Sequence, residues 1–331
     1  MSRVLSFVRN NLLYLILAAL VLGLVHGYYQ QVGYLKPLVL PILLLMVYPM
    51  MINIKIEEVF RAFKDFRPVF LSLMVNFILM PVLAFVVARL FFENNPIYAV
   101  GLYLIALLPT SGMTAAWTGL AKGNINTALV IIAVNLLLSI FLLPIYLKFL
   151  VGQTVPFDPI HILKELLYIV VAPMAAGDLT RRMIIRRFGQ EGFKRLTPHL
   201  SSVSSLGVVM IIFVAMSLKA HQILNDVNSA ALTLVPLILF YTVSIGFGFF
   251  LGRAFLVRGK MIALVYGTAM RDLSIAVAIA MLSFPGAVLP IALAYAIQVP
   301  LAAIIMKILL YVGESRQNEA IFAEAGQGSV D

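Results

Sequence analysis

The sequence predicts an all-α polytopic membrane protein of ten transmembrane helices, and three observations support this prediction. Apolar residues make up 62% of the 331-residue chain and charged residues only 11%, with a mean hydropathy of +1.03. A water-soluble core does not explain this composition, because a soluble domain carries about a quarter charged residues. The apolar residues form runs close to the roughly 20 residues that a bilayer requires. These runs lack the alternation of a transmembrane β-barrel.

Each apolar run is predicted to be a helix, because backbone polar groups inside lipid need hydrogen-bond partners within their own segment. The first run follows a short basic stretch, but no small-residue cleavage site follows it, so it is predicted to be a helix and not a signal peptide. The ten segments are Leu12 to Tyr28, Leu35 to Ile54, Val69 to Phe92, Ile97 to Ala121, Asn126 to Leu147, Ile162 to Thr180, Leu200 to Leu218, Ala231 to Leu251, Met261 to Leu282 and Val288 to Val312.

The distribution of positive charge predicts the orientation in the membrane. Ten segments place both termini on one side, and most of the 24 lysines and arginines flank the segments on that side. The positive-inside rule then places both termini in the cytoplasm and the chain in the cell (inner) membrane. The net charge of +10 is therefore expected to face anionic lipid headgroups, and no nucleic-acid partner is predicted. The basic residues on the opposite side are Lys36, Arg89, Lys148, Lys164 and Lys219.

Residue types exclude several kinds of site. The chain has no cysteine, which excludes disulfides, zinc–thiolate sites and cysteine nucleophiles. Its four histidines lie near segment ends without ligand spacing, so no metal site and no cofactor are predicted. Gly246, Gly248 and Gly252 follow no strand, so a nucleotide site is not expected there. Gly248 and Gly252 are instead predicted to allow close contact between helices.

Two segments contain residues that interrupt a helix near the middle of the span. Segment 4 contains Pro109 to Gly112, and segment 9 contains Gly267 to Asp272. With five segments in each half, the second half must run opposite to the first. Interrupted helices at corresponding places are typical of the midplane solute site of a transporter. The chain is therefore predicted to comprise a first repeat over 1–150, an inverted second repeat over 151–312, and a polar cytoplasmic tail over 313–331.

Arg271 and Asp272 are the most unusual residues of the sequence, since each costs about 2.5 to 3.5 kcal/mol at the centre of a membrane helix. In a functional interpretation, Arg271 anchors an anion and Asp272 is a proton-coupling carboxylate. In the alternative, the two form a structural ion pair that closes the broken helix. A further group of side chains could donate hydrogen bonds to a solute, or could only join helices: Thr110, Ser111 and Thr114 beside Gly112, together with Asn126 and Asn135.

Five stretches of the chain read like those of a known group of transporters, namely Val75 to Pro81, Pro109 to Asn124, Phe249 to Arg253, Leu273 to Ala280 and Gln298 to Pro300. They resemble the superfamily that joins the bile acid:sodium symporters to the arsenite efflux permeases, and the resemblance covers most of the chain. The last three stretches are more similar to the arsenite permeases. The resemblance implies two inverted five-helix repeats, a panel domain, and a core domain in which broken segments 4 and 9 cross. It also implies that Asn76 and Gln298 face the breaks.

The sequence departs from this superfamily at two kinds of site. Arsenite permeases carry a cysteine directly after the segment-4 proline, where this chain has Thr110, and a hydroxyl does not replace a soft thiolate. At the positions that match sodium ligands of the symporters, only Asn76 and Thr114 keep a side-chain oxygen. The remaining matching positions are Ala115, Ala128, Ile132, Gly267 and Arg271.

We therefore expect a secondary active transporter that moves a small organic anion by alternating access, with a proton favoured over sodium as the coupling ion. The expected solute-binding residues are Asn76, Thr110, Ser111, Gly112, Thr114, Arg271 and Gln298, and the expected ion-coupling residues are Thr114, Asn135 and Asp272. Arsenite or antimonite efflux is the alternative within the same class. An intramembrane aspartyl hydrolase, using Asp178 and Asp272, is the alternative of another class, although no enzymatic activity is predicted. Membrane lipids are the other expected partner.

Overall fold

The computed structural model describes residues 11–53, 66–151, 155, 157–225 and 231–327. Apart from one isolated β-bridge, the regular structure of these residues is helical. The α-helices are α1 (Leu12–Tyr29), α2 (Val39–Ile52), α3 (Phe66–Met74), α4 (Met80–Phe91), α5 (Pro96–Leu107), α6 (Met113–Leu120), α7 (Ile125–Leu150), α8 (Pro159–Leu166), α9 (Ala172–Leu224), α10 (Leu234–Phe255), α11 (Arg258–Ala269), α12 (Leu273–Ser283) and α13 (Val288–Gln327).

Short 3₁₀ or π turns join several of these helices into longer spans. A π turn over Val75–Leu79 joins α3 to α4, and another over Leu167–Val171 joins α8 to α9. Within the described residues, six helical spans are long and apolar enough to cross a membrane, and shorter apolar helices include α5 and α12. The chain is therefore an all-helical protein of the multi-pass membrane type. The ten crossings and the inverted repeat stay predictions.

Both helix interruptions predicted from the sequence are present. The first separates α5 from α6, where Leu108 adopts an extended conformation because the following Pro109 disfavours helical geometry at that residue. The second separates α11 from α12, where Met270 is extended and the Asp272 carboxylate accepts the Ile275 amide at 3.3 Å as a helix N-cap. Each predicted segment is thus cut into two short helices.

Two connections differ from the predicted segment ends. Segments 6 and 7 are continuous through α9, in which Gly189 is the one non-helical residue, with φ 70° and ψ 179°. Glycine adopts this left-handed conformation without steric cost, so the helix changes direction there. The last helix continues past Val312 to Gln327, so the first part of the predicted polar tail is helical.

Glycines set the close approach of several helices. A methyl group built on Gly23 of α1 would lie 2.7 Å from the carbonyl oxygen of Phe213 in α9, and one on Gly207 of α9 would lie 2.8 Å from the Cα atom of Met46 in α2. Contacts this short leave no room for a side chain, so α9 packs backbone to backbone against α1 and α2.

The same kind of packing joins α10 to α11. A methyl group on Gly252 would lie 2.8 Å from Met261 Cγ, and one on Gly248 would lie 3.0 Å from Val265 Cα. The predicted role of these two glycines in close helix contact is confirmed.

Candidate functional site

The interruptions of the two broken helices meet and form a short antiparallel β-bridge. The Ser111 amide donates to the Met270 carbonyl at 2.8 Å, and the Asp272 amide donates to the Pro109 carbonyl at 2.9 Å. These bonds satisfy backbone groups that the broken helices leave without partners, which apolar surroundings would otherwise penalise. Segments 4 and 9 therefore cross at their breaks, and we call this region the crossing.

Side chains from other segments satisfy the carboxyl end of α11. Thr110 Oγ1 donates to the Gly267 carbonyl at 2.8 Å, and Thr114 Oγ1 donates to the Tyr266 carbonyl at 3.3 Å. Asn76 Nδ2 donates to the Gly267 carbonyl as well, at 3.0 Å. The last carbonyls of a helix have no partner within that helix. These three side chains supply hydrogen-bond donors to the last carbonyls of α11.

Asn76 is also part of a buried polar network between α7 and the π turn that joins α3 to α4. Asn76 Nδ2 lies 2.8 Å from Asn135 Oδ1, and Asn135 Nδ2 donates to Ser72 Oγ at 3.0 Å and to the Ile131 carbonyl at 2.8 Å. Asn76, Asn135 and Ser72 are at most 1% exposed. Asn76 Oδ1 is buried without a hydrogen-bond partner.

A sodium ion fits this arrangement poorly. A hard cation requires several oxygen ligands, whereas Asn76, Thr110 and Thr114 act here as donors to backbone carbonyls. Among the described side-chain oxygens of this network, Asn76 Oδ1 is the one buried without any hydrogen-bond partner. Ala128, at a position that matches a sodium ligand of the symporters, lies in an apolar cluster.

Gln298 holds the backbone of the segment-9 break. Its Oε1 accepts the Arg271 amide at 3.0 Å, and its Nε2 donates to the Arg271 carbonyl at 3.1 Å. Tyr241 of α10 donates its hydroxyl to the same Oε1 at 2.9 Å. The Gln298 amide thus fixes the backbone of Arg271, and the predicted role of Gln298 in solute binding stays a prediction.

The Arg271 side chain is buried at the crossing with much of its hydrogen-bonding capacity unused. The residue is 1% exposed, and its Nη1 makes a long contact of 3.5 Å with the Leu108 carbonyl at the carboxyl end of α5. Its Nε and Nη2 are buried, and no described residue makes a hydrogen bond to either. The negative end of the α5 dipole partly compensates the guanidinium charge, but two donors remain unsatisfied.

Asp272 does not neutralise its neighbour. Among the salt bridges of the described residues, none joins Arg271 to Asp272, and Asp272 directs its carboxylate to the start of α12. The structural ion pair considered above is therefore not formed. Two consecutive ionisable residues, each at most 2% exposed, are therefore buried without a salt bridge to each other.

The open side of the crossing lies at Gly112. This residue is exposed, and a methyl group built on it would meet no atom within 4 Å. Its neighbour Ser111 is 7% exposed, and the Ser111 hydroxyl accepts the Met113 amide at 3.3 Å.

Asp178 has a different environment from Asp272. Its carboxylate binds Arg181 at 2.8 Å and Arg182 at 2.6 Å, all within α9. Each of the two carboxylates thus has its own local partners, and these do not include the other. Such an arrangement does not resemble the shared pair of carboxylates of an aspartyl hydrolase.

A model of the Sodium Bile acid symporter family matches residues 40–226, which is more than half of the chain. The chain belongs to this family.

The curated proteins similar to this chain are named for more than one function. The arsenical-resistance protein Acr3 of Alkaliphilus metalliredigens is 27% identical, over 80% of this chain and 78% of its own length. A probable sodium/metabolite cotransporter, BASS3 of Oryza sativa subsp. japonica, is 21% identical, over 62% of this chain and 47% of its own length. The uncharacterized protein YbaS of Bacillus subtilis is 28% identical over 72% of this chain. The superfamily that the sequence resembled is thereby confirmed.

Several residues at or near the crossing were not predicted from the sequence of this family member. Ser72 and Tyr241 are completely buried and bind predicted site residues, while Ser274 and Tyr295 share a hydrogen bond of 3.0 Å beside Asp272. The signal was present, because a hydroxyl inside an apolar span requires a partner. The sequence does not show which partner each hydroxyl binds. Asn126, also proposed from the sequence, is exposed near the start of α7 and is outside this cluster.

Proposed function

We propose that this protein is a secondary active transporter that moves a small organic anion by alternating access. The observation that carries the proposal is the Arg271 guanidinium, 1% exposed, whose Nε and Nη2 have no acceptor among the residues that the structure describes. An unpaired buried cation costs several kcal/mol, so an anion that binds there removes a large penalty. The site would comprise Arg271 with Thr110, Ser111, Gly112 and Thr114, while Asn76 and Gln298 hold the backbone around it.

The coupling ion is proposed to be the proton, with Asp272 as the group that carries it. The donors at Asn76, Thr110 and Thr114 occupy carbonyl oxygens that a sodium ion would need, which argues against sodium. Asn135 supports this region through Asn76 and would affect coupling indirectly.

The proposed setting is the cell (inner) membrane, with both termini in the cytoplasm and inverted repeats over 1–150 and 151–312. The paired breaks between α5 and α6 and between α11 and α12 support the repeat. The exposed arginines of the α9 turn, such as Arg186 and Arg187, support the orientation, because basic residues concentrate on the cytoplasmic side.

Uptake into liposomes tests this function. The purified chain should take up a labelled small carboxylate when a pH gradient is imposed, and replacing sodium by choline should change the rate less than twofold. Arg271→Gln should abolish uptake, and Arg271→Lys should raise the apparent KM at least tenfold, because lysine lacks the planar fork that binds two oxygens.

Arg258→Gln is the matched control, since Arg258 donates to the Leu309 carbonyl at 2.9 Å away from the crossing. It should transport like the wild type. Uptake by Arg271→Gln at the wild-type rate would disprove the anion site, and a saturable sodium requirement would disprove the coupling assignment.

Arsenite or antimonite efflux is the second candidate, and the Acr3 relatives at 27% and 23% identity favour it. Thr110, at the position of the permease cysteine, is already bound to the Gly267 carbonyl, so an uncharged metalloid hydroxide would have to displace that bond. Accumulation of arsenite in everted vesicles, lost in Thr110→Val and kept in Arg271→Gln, would favour this candidate over the anion transporter.

A further inference from the structure

The unsatisfied atoms of Arg271 define a specific recognition edge. A guanidinium presents two edges that can bind two oxygens, and Nε with Nη2 forms the one along the side of the arginine. Nη1 contacts the Leu108 carbonyl, while the Nε–Nη2 edge has no hydrogen-bond partner in the part of the chain that the structure describes. Carboxylates bind such an edge through two parallel hydrogen bonds. The edge therefore fits an anion with two coplanar oxygens separated as in a carboxylate.

The charges around this edge limit the charge of the anion. Among the described residues, the buried side chains that ionise at neutral pH near the crossing are Arg271 and Asp272. The helices packed against them contribute the phenols of Tyr241 on α10 and Tyr295 on α13, and an ordinary tyrosine is neutral at pH 7. Segment 4 contributes hydroxyls to the crossing, at Thr110, Ser111 and Thr114.

We propose that the crossing binds one monocarboxylate together with one proton, so that each transport cycle is electroneutral. This inference rests on the proposed function and adds its ligand charge and its stoichiometry. The carboxylate accepts hydrogen bonds from Arg271 Nε and Nη2. The proton binds an Asp272 carboxylate oxygen from the water on one side of the membrane and leaves to the water on the other side.

Charge neutrality in a low-dielectric site is the physical basis of this coupling. With neither ligand bound, Arg271 and Asp272 together carry no net charge. With both bound, the guanidinium faces the anion and Asp272 is neutral, so the sum is again zero. With only one bound, a net charge remains in the buried site, which is costly because the low dielectric weakens screening. The forms with only the anion or only the proton bound are therefore disfavoured. The site opens to the other side of the membrane either empty or with both ligands bound.

Binding measurements on the full chain test the ligand class. The panel consists of short monocarboxylates and of dicarboxylates with matched chain length. The monocarboxylates should raise the melting temperature of the protein, and the dicarboxylates should bind with at least tenfold lower affinity. Arg271→Gln should abolish these shifts. Dicarboxylates that bind as tightly as their monocarboxylate partners would overturn the inference.

Flux measurements with the tightest-binding monocarboxylate test the stoichiometry. Liposomes clamped with potassium and valinomycin should show the same accumulation at zero and at an imposed potential, and a pH dye should report one proton per labelled anion. A cycle that moves one net charge would change accumulation about 50-fold at 100 mV, since that charge corresponds to about 2.3 kcal/mol. Such a voltage dependence would overturn the inference.

The variant Asp272→Asn separates proton coupling from anion binding. It should keep exchange of labelled for unlabelled monocarboxylate but lose accumulation driven by pH. Asp178→Asn is the control, because Asp178 pairs with Arg181 and Arg182 away from the crossing, and it should keep both activities. If Asp272→Asn still accumulates the anion with the pH gradient, the inference is wrong while anion transport stands. If the wild type moves no carboxylate at all, both the inference and the proposed function are wrong.

Discussion

Buried hydroxyl and amide groups at the crossing each have a defined acceptor. Thr110 and Asn76 converge on the Gly267 carbonyl, and Thr114 binds the Tyr266 carbonyl. A neutral hydrogen bond contributes about 1 kcal/mol, but a buried group left without a partner costs about 1 to 3 kcal/mol. These side chains therefore matter through the carbonyl oxygens they satisfy, and they also withhold those oxygens from a cation.

Thr110→Val should destabilise the protein by about 1 kcal/mol, at the lower end for a lost partner, because Asn76 continues to donate to the Gly267 carbonyl. Thr118→Val is the matched control. Thr118 is completely buried and its hydroxyl has no hydrogen-bond partner, so its replacement should leave stability unchanged or raise it. Unfolding in detergent measures both variants, and equal losses would contradict the role given to Thr110.

At the scale of elements, the break between α11 and α12 is held by side chains of α10 and α13. Gln298 of α13 fixes the backbone at Arg271, and Ser244 of α10 donates to the Thr268 carbonyl at 2.9 Å. A broken helix exposes backbone polar groups, so it is stable in an apolar environment only where neighbouring helices supply partners. The close packing of α10 on α11 brings Ser244 within reach of the Thr268 carbonyl.

Gly248→Ala should destabilise the protein by about 1 to 3 kcal/mol through overpacking. Its added methyl group would lie 3.0 Å from Val265 Cα and closer still to Thr268 Oγ1. Gly246→Ala on the same helix is the control, since the nearest atom, Phe250 Cε2, lies 4.0 Å away. Alanine favours a helix over glycine by about 0.5 to 1 kcal/mol, so this variant should be neutral or stabilising. Comparable melting temperatures for the two would refute the packing argument.

At the scale of the whole molecule, the broken helices divide the bundle into parts with different packing. Helices α1, α2 and α9 pack closely through Gly23 and Gly207, whereas the crossing joins segments 4 and 9 through backbone and side-chain hydrogen bonds. Alternating access requires one group of helices to move against another around the solute site. For the alternating access proposed above, we expect the closely packed α1, α2 and α9 to form the frame and the crossing to belong to the part that carries the solute.

Cysteine labelling tests the orientation of the whole molecule, and the absence of native cysteine leaves no background. Lys122→Cys and Lys148→Cys bracket α7 and should react with an impermeant maleimide from opposite sides, Lys122 from the cytoplasm. Arg187→Cys, beside the Gly189 turn, should react from the same side as Lys122, because the basic residues are expected to remain cytoplasmic. Labelling of both positions from the same side would contradict the prediction that α7 spans the membrane.

The sequence by itself determined the membrane class, the helical architecture, the places of both breaks and the presence of Arg271 and Asp272 in one of them. These features follow from local signals, namely the length of apolar runs, the geometry before Pro109 and the cost of charge in lipid. Only the tertiary structure decided what each polar group binds. Thr110 and Asn76 reach a carbonyl 157 and 191 residues away, and Gln298 holds the backbone of Arg271. Hydrogen-bond partners so far apart in the sequence are set by how the helices pack against one another. The residues next to each partner in the sequence do not determine that packing.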